Sequence, residues 1–269
     1  MSTVKFGFIG TGNMGGALAR AVCKAVNVKE VLLADRSEVK AQLLANELGC
    51  SNANNNAVAS SAKFIFLGVK PQVMAETLNS ILPVLQKRND RFVLVTMAAG
   101  LKIADIADIC KTNYPIIRIM PNTPVSVGKG MILYSASEEV FMDEIGEFCD
   151  ALKQAGKLDK LDENLIDAAS AVSGCGPAFV YMFCEALADA GVECGLPRQK
   201  ALEYAAQTLS GAAELIITSG KHPAVLKDEV CSPGGTTIAG VHALEDGGFR
   251  AAAMSAVTSA YNKTKELKK

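Results

Sequence analysis

Two short stretches of this chain hold residues whose types and spacing could do chemistry. The first, GFIGTGNMGGALA at 7–19, contains Gly10-x-Gly12-x-x-Gly15. After an apolar run and ahead of a helical pattern, this spacing marks a loop that cradles a dinucleotide pyrophosphate. Gly10 allows the tight turn, Gly12 lets backbone approach phosphate, and Gly15 lets helix and strand pack closely. Thr11, Asn13 and Met14 complete the loop, and the helix start adds unpaired N–H groups and positive dipole. The second stretch is CSPGGTT at 231–237. The hydroxyls of Ser232, Thr236 and Thr237 flank Gly234 and Gly235, whose bare amides at the start of a helix suit a carboxylate. The same letters also suit an ordinary helix N-cap, and the residues alone leave the two alternatives level.

Other residues support the first stretch. An acidic residue about twenty positions on, Asp35 in ADRS, stands where it would bind the ribose hydroxyls of NAD. Arg36 follows at once and would stack on adenine or pair with the 2′-phosphate of NADP. The two residues pull in opposite directions, and Asp35 also suits a helix cap. Three further runs fall just past apolar strands: Gly68-Val69-Lys70-Pro71, Ala98-Ala99-Gly100, and Met120-Pro121-Asn122-Thr123-Pro124. Open α/β sheets bind ligands at that edge.

These residues need elements to position them. Residues 1 to about 160 alternate strand-like runs (4–10, 30–35, 64–69, 92–97, 116–120, then MILYS) with helical stretches at 13–26, 38–48, 72–86 and 101–111, and a helix at 137–155 begun by Ser137. Continuous apolar strands between helices predict a doubly wound parallel sheet of Rossmann type, the α/β class, over 1–162. After Asp162 no strand-like run recurs. Ala-rich helical segments at about 163–173, 177–195, 197–219 and 248–266 predict an all-helical domain over 163–269. In 177–194, Glu185, Asp189 and Glu193 make one narrow polar stripe on an otherwise apolar helix, which predicts burial on most sides. We expect a second copy to cover it; helices wrapped on the first domain are the alternative.

Composition narrows the function classes. A formal net charge of −1 provides no basic field for nucleic acid or an anionic membrane. Eight cysteines lie scattered without a CxxC pair, and only His222 and His242 could join them, so no metal is expected. No apolar run is read as long enough to span a membrane, and no secretory leader precedes the first strand. The expectation is a cytoplasmic protein with reduced thiols.

A dinucleotide domain followed by a helical one points to a dehydrogenase. Alcohol oxidation needs a general base, and the hydroxyacid dehydrogenases of this architecture place a lysine where SGCGPAFVYMFCEA (173–186) has neither lysine nor histidine. A protonated imine is already electrophilic and asks only for orientation and a hydrogen bond at nitrogen, which a hydroxyl supplies. A hydroxyacid dehydrogenase-like enzyme and a dinucleotide sensor without turnover remain the alternatives.

Over essentially its whole length the chain resembles the pyrroline-5-carboxylate reductases. GFIGTGNMG, GVKPQ, MAAG, RIMPNTP, VSGCGPAFVY, EALADAGV, GLPR, AAQTLSGAAELI and the run HPAVLKDEVCSPGGTTIAGVHALEDGGFRAA carry the likeness. The resemblance implies reduction of 1-pyrroline-5-carboxylate to L-proline with NADPH or NADH, the last step of proline biosynthesis. It also implies a homodimer built on the C-terminal helices, often within a larger ring. By position it assigns Thr237 to the pyrroline nitrogen, and Ser232, Gly234, Gly235 and Thr236 to the carboxylate. Gly10, Thr11, Gly12, Asn13 and Met14 fall to the pyrophosphate, and Val69, Lys70, Pro71, Ala98, Ala99 and Asn122 to the cofactor lining. Two residues depart from the family pattern. Cys175 stands where serine is frequent, and Asp35 where NADP-preferring relatives often carry an uncharged residue.

Overall fold

The structure, a computed structural model, describes residues 4–266. The apolar runs become strands because they can be buried on both faces: β1 (Phe6–Ile9), β2 (Val31–Ala34), β4 (Phe64–Leu67) and β5 (Val93–Thr96) are buried at every position. A two-residue β3 (Ser51–Asn52) lies outside β2, while β6 (Ile116–Pro121), β7 (Gly130–Ala136) and β8 (Gly156–Lys160) extend the other side. The order is β3-β2-β1-β4-β5-β6-β7-β8, parallel throughout except for the antiparallel β6–β7 pair. The chain therefore leaves β1 toward one edge and returns to add β4 on its other side. The carboxyl ends of β1 and β4 flank that switch point, where doubly wound sheets hold their ligands.

Helices cover both faces. α1 (Asn13–Ala25), α2 (Glu38–Leu48) and α6 (Met142–Leu152) close one core, in which Phe8 stacks on Phe66 at 4.5 Å. α3 (Asn55–Ser61), α4 (Pro71–Leu85) and α5 (Ile103–Cys110) close the other. α7 (Glu163–Ser173) packs on β6 and β7. It is held there by Arg118 of β6, whose buried guanidinium bonds Asp167 at 2.8 Å and Glu163 at 3.3 Å.

The described residues up to Gly174, with those from Tyr261, form one compact unit, and Cys175–Ala260 form another. The second is helical: α8 (Gly176–Glu193), α9 (Arg198–Ser219), α10 (Pro223–Val230), α11 (Thr236–Asp246) and most of α12 (Phe249–Glu266). Its buried core is small, three alanines at 188, 201 and 205 with Cys184 and Val192 beside them. Tyr181, Met182 and Ile217 stay 61–74% exposed, as expected of helices that keep their apolar faces for a partner.

Three expectations are corrected. The helix placed at 137–155 starts at Met142, because Ser137 still pairs with β6: its N–H donates to the Ile116 carbonyl and its hydroxyl accepts from the Ile116 N–H. β8 was not read as a strand, since GKLDK is an edge strand that presents mostly polar residues. Finally, the helical stretch Glu163–Glu193 is long and apolar enough, by length and composition, to cross a membrane. Gly174 and Cys175, read as a break, keep right-handed helical backbone angles.

Candidate active site

The nucleotide loop follows from sterics. Gly10 has φ +96°, and a Cβ there would stand 2.7 Å from the Gly68 carbonyl oxygen. A Cβ on Gly15 would lie 2.1 Å from the Gly10 carbonyl oxygen, and one on Gly68 2.4 Å from the same atom. Three glycines thus let the β1 turn, the start of α1 and the end of β4 touch through bare backbone. Gly12 differs: a Cβ there would meet nothing within 4 Å. Its smallness serves no neighbour in the chain and leaves room for something outside it. Gly12 is also the N-cap of α1 and makes no side-chain cap bond, so the first amides of α1, from Asn13 and Met14 onward, lack intrahelical acceptors. Open space, free amides and the helix dipole fit a pyrophosphate.

Beside the loop, Asp35 is half-buried and Arg36 exposed. The Asp35 carboxylate accepts from the Thr11 N–H at 2.7 Å, the Thr11 hydroxyl at 3.1 Å and the Ser37 N–H at 2.9 Å. Burial pushes its pKa up, but the bonds from Ser37 and Thr11, with the charge of Lys40, outweigh this and hold it below the ordinary aspartate range. A hollow of about 360 Å³ opens here, lined by Asp35, Asn54, Asn55, Asn56 and Ser80. The asparagines are not singled out by the sequence analysis, although the run NANNNA at 52–57 begins in β3 and leads into α3. Asn54 caps α3 through a 2.9 Å bond from the Ala57 N–H.

The other expected residues line the same carboxyl edge. Val69, Lys70 and Pro71 follow β4; Lys70 is exposed at the N-cap of α4 and Pro71 takes its first turn. Ala98 is buried and Ala99 exposed after β5. Asn122 follows β6, and its side chain bonds within this unit at both ends: Nδ2 donates to the Ser173 carbonyl at 2.9 Å and Oδ1 accepts from the Met131 N–H at 2.8 Å. Arg118 escaped sequence reading, because an arginine among apolar strand residues does not announce its partners.

The second unit holds the other group. Ser232 to Gly235 form a turn closed by a 3.0 Å bond from the Gly235 N–H to the Ser232 carbonyl. Gly234 has φ +65°, and a Cβ on Gly235 would lie 2.4 Å from the Ser232 hydroxyl. Gly235 is the N-cap of α11, and no side chain caps it. The cap alternative for Ser232, Thr236 and Thr237 is therefore not realised. Thr236 and Thr237 are exposed, and among the described residues neither hydroxyl has a hydrogen-bond partner. His222, by contrast, is a cap: its Nδ1 accepts from the Ala224 N–H at 3.2 Å. Among the described residues no three His, Cys, Asp or Glu side chains gather as a metal site.

Known proteins match both halves. Residues 163–267 match the family model for pyrroline-5-carboxylate reductase dimerisation, and residues 5–100 one described as NADP oxidoreductase, coenzyme F420-dependent. The pyrroline-5-carboxylate reductase of Arabidopsis thaliana is 38% identical over 98% of this chain and 95% of its own. That of Escherichia coli is 37% identical over 98% of both. The crystal structure of a Plasmodium falciparum pyrroline carboxylate reductase with NADP bound superposes with TM-score 0.88, at 32% identity and full coverage of both chains. With such likeness along nearly its entire length, the chain belongs to the pyrroline-5-carboxylate reductase family.

Proposed function

We propose that this protein reduces 1-pyrroline-5-carboxylate to L-proline with NADPH or NADH, the final step of proline biosynthesis, and does so as a homodimer. Reductases of that name in plants and bacteria are its relatives over nearly the full chain. The observation of this structure that carries the proposal is the uncapped start of α11: free amides beside two unused hydroxyls, the equipment a carboxylate-bearing imine requires.

Reduced nicotinamide dinucleotide, when bound, supplies the hydride that reaches the imine carbon of the pyrroline, the carbon that becomes C5 of proline. Gly10, Thr11, Gly12, Asn13 and Met14 hold its pyrophosphate, Asp35 and Arg36 stand at its adenosine end, and Val69, Lys70, Pro71, Ala98, Ala99 and Asn122 line its course. Ser232, Gly234, Gly235 and Thr236 receive the substrate carboxylate. Thr237 offers its hydroxyl to the ring nitrogen, where it polarises the C=N bond and stabilises the charge that changes there. Orientation and exclusion of water provide the rest of the rate.

Residues 163–269 form the half that binds substrate and dimerises, which accounts for the apolar side chains of α8 and α9 left open in a single chain. We further read the dimer as the building block of a larger ring, placed in the cytoplasm, with neither membrane nor nucleic acid as partner. The net charge of −1 and the eight scattered cysteines support this. Purified protein mixed with pyrroline-5-carboxylate and each nucleotide tests the activity by loss of reduced-nicotinamide absorbance. Rapid oxidation of at least one is expected; none with either would refute the function.

A further inference from the structure

An acidic residue at the end of the second strand of a dinucleotide fold ordinarily selects the cofactor, its two oxygens chelating the ribose hydroxyls and repelling a 2′-phosphate. Asp35 occupies that position at the edge of the hollow, yet its carboxylate is engaged by donors of its own chain. One oxygen accepts both the N–H and the hydroxyl of Thr11, and the other accepts the Ser37 N–H. A carboxylate has about four acceptor positions, and three are filled from within the chain. Chelating a ribose with both oxygens would mean giving up one of the two bonds to Thr11, the residue between Gly10 and Gly12 in the pyrophosphate loop. We infer that Asp35 is a positioning residue that fixes this loop through Thr11, and that it is not the residue by which the enzyme tells NADPH from NADH.

Several details of the structure agree. Gly10 is held by the 2.8 Å bond from its N–H to the Ala34 carbonyl and by its close approach to Gly15 and Gly68, whereas nothing packs on Gly12, so the Asp35 carboxylate supplies the hold on the Thr11 side of the loop. Bonds to an ionised acceptor are about twice as strong as neutral ones, and this one ties the end of β2 to the end of β1. Next to Asp35, Arg36 is exposed and takes no part in the anchor, and the neutral asparagines 54–56 line the adjoining hollow. The ionised carboxylate thus spends its bonding on the loop, and a nucleotide with or without a 2′-phosphate meets the same loop geometry.

Isothermal titration of the holo-competent dimer with NADP⁺ and NAD⁺ tests the role. Asp35→Ala should weaken both nucleotides by a common factor, about tenfold for the loss of charge-assisted bonds, and leave their affinity ratio within about twofold. Asp35→Asn, which keeps an acceptor, should show a smaller loss shared in the same way. A change of ratio beyond about tenfold would make Asp35 the selector, and unchanged affinity for both would remove it from the loop's support; either outcome overturns the inference. Amide hydrogen exchange on the wild-type protein gives a readout independent of any variant's folding: the Thr11 N–H should be protected without nucleotide, and exchange at the rate of a free amide would contradict the anchor. Because this role presupposes dinucleotide binding at the loop, the wild-type titrations test that premise separately: if neither nucleotide bound, the cofactor assignment itself would fail.

Discussion

Arg118 and Asp167 are joined by a 2.8 Å ion pair in which the guanidinium is wholly buried. Asp167 and Glu163 lie one helical turn apart on α7 and bond the same side chain, so a single arginine in β6 fixes the helix on the sheet. Among the described residues the Arg118 Nε has no partner, so the group's desolvation is offset mainly by the two carboxylates.

Arg118→Ala should therefore destabilise the protein by about 3–5 kcal/mol, because it breaks a buried ion pair by removing one side only. Arg118→Met with Asp167→Leu removes both charges and should recover most of that loss. Denaturant titration of the three proteins decides it; a double variant no more stable than the single one would show that packing, and not the broken ion pair, is responsible.

Gly235→Ala should act through Ser232. The added methyl would stand 2.4 Å from the Ser232 hydroxyl, which can rotate away, and 3.0 Å from the Ser232 carbonyl oxygen, which must give by a few tenths of an ångström. We expect the KM for pyrroline-5-carboxylate to rise about tenfold with nucleotide affinity unchanged. Combining it with Ser232→Ala should add little. Additive losses would mean the two residues act independently.

The acid behaviour of Asp35 has a definite sign. Its folded pKa lies below the ordinary value, so its contribution to stability is complete above the unfolded value near about 4 and is lost as pH falls through the lower folded one. The melting-temperature difference between wild type and Asp35→Asn should hold steady from neutral pH down to about pH 5 and shrink below about pH 4. A difference that grows in acid would contradict the bonding described.

The sheet was largely legible in advance, for a physical reason. FGFI, VLLA, FIFL and VLVT are apolar at nearly every position, the signature of strands covered on both faces, and the glycine spacing marked the loop between them. Elements with mixed faces were harder to read. GKLDK hides an edge strand, and Ser137, with the look of a helix cap, lies just past β7 and bonds Ile116 of β6. In the site, the residue types at 231–237 were visible, but two alternatives stood level until backbone geometry put Gly235 at the cap position. Asp35 was visible as well, yet the direction of its carboxylate depends on Thr11, 24 residues away. Contacts of that range leave no periodic trace.

Thr237→Val removes the hydroxyl assigned to the ring nitrogen and nearly preserves the shape. The turnover number should fall about a hundredfold or more, in the range for loss of one donor to a developing charge, with nucleotide affinity within about twofold. Equal losses in both would make the hydroxyl structural.

The transfer of hydride to the imine carbon is tested most directly by isotope. Nicotinamide nucleotide carrying deuterium at the transferable C4 position, incubated with the enzyme and unlabelled pyrroline-5-carboxylate, should yield proline with one deuterium, located at C5 by mass spectrometry or NMR. Proline formed without deuterium, or with it at another carbon, would contradict the account.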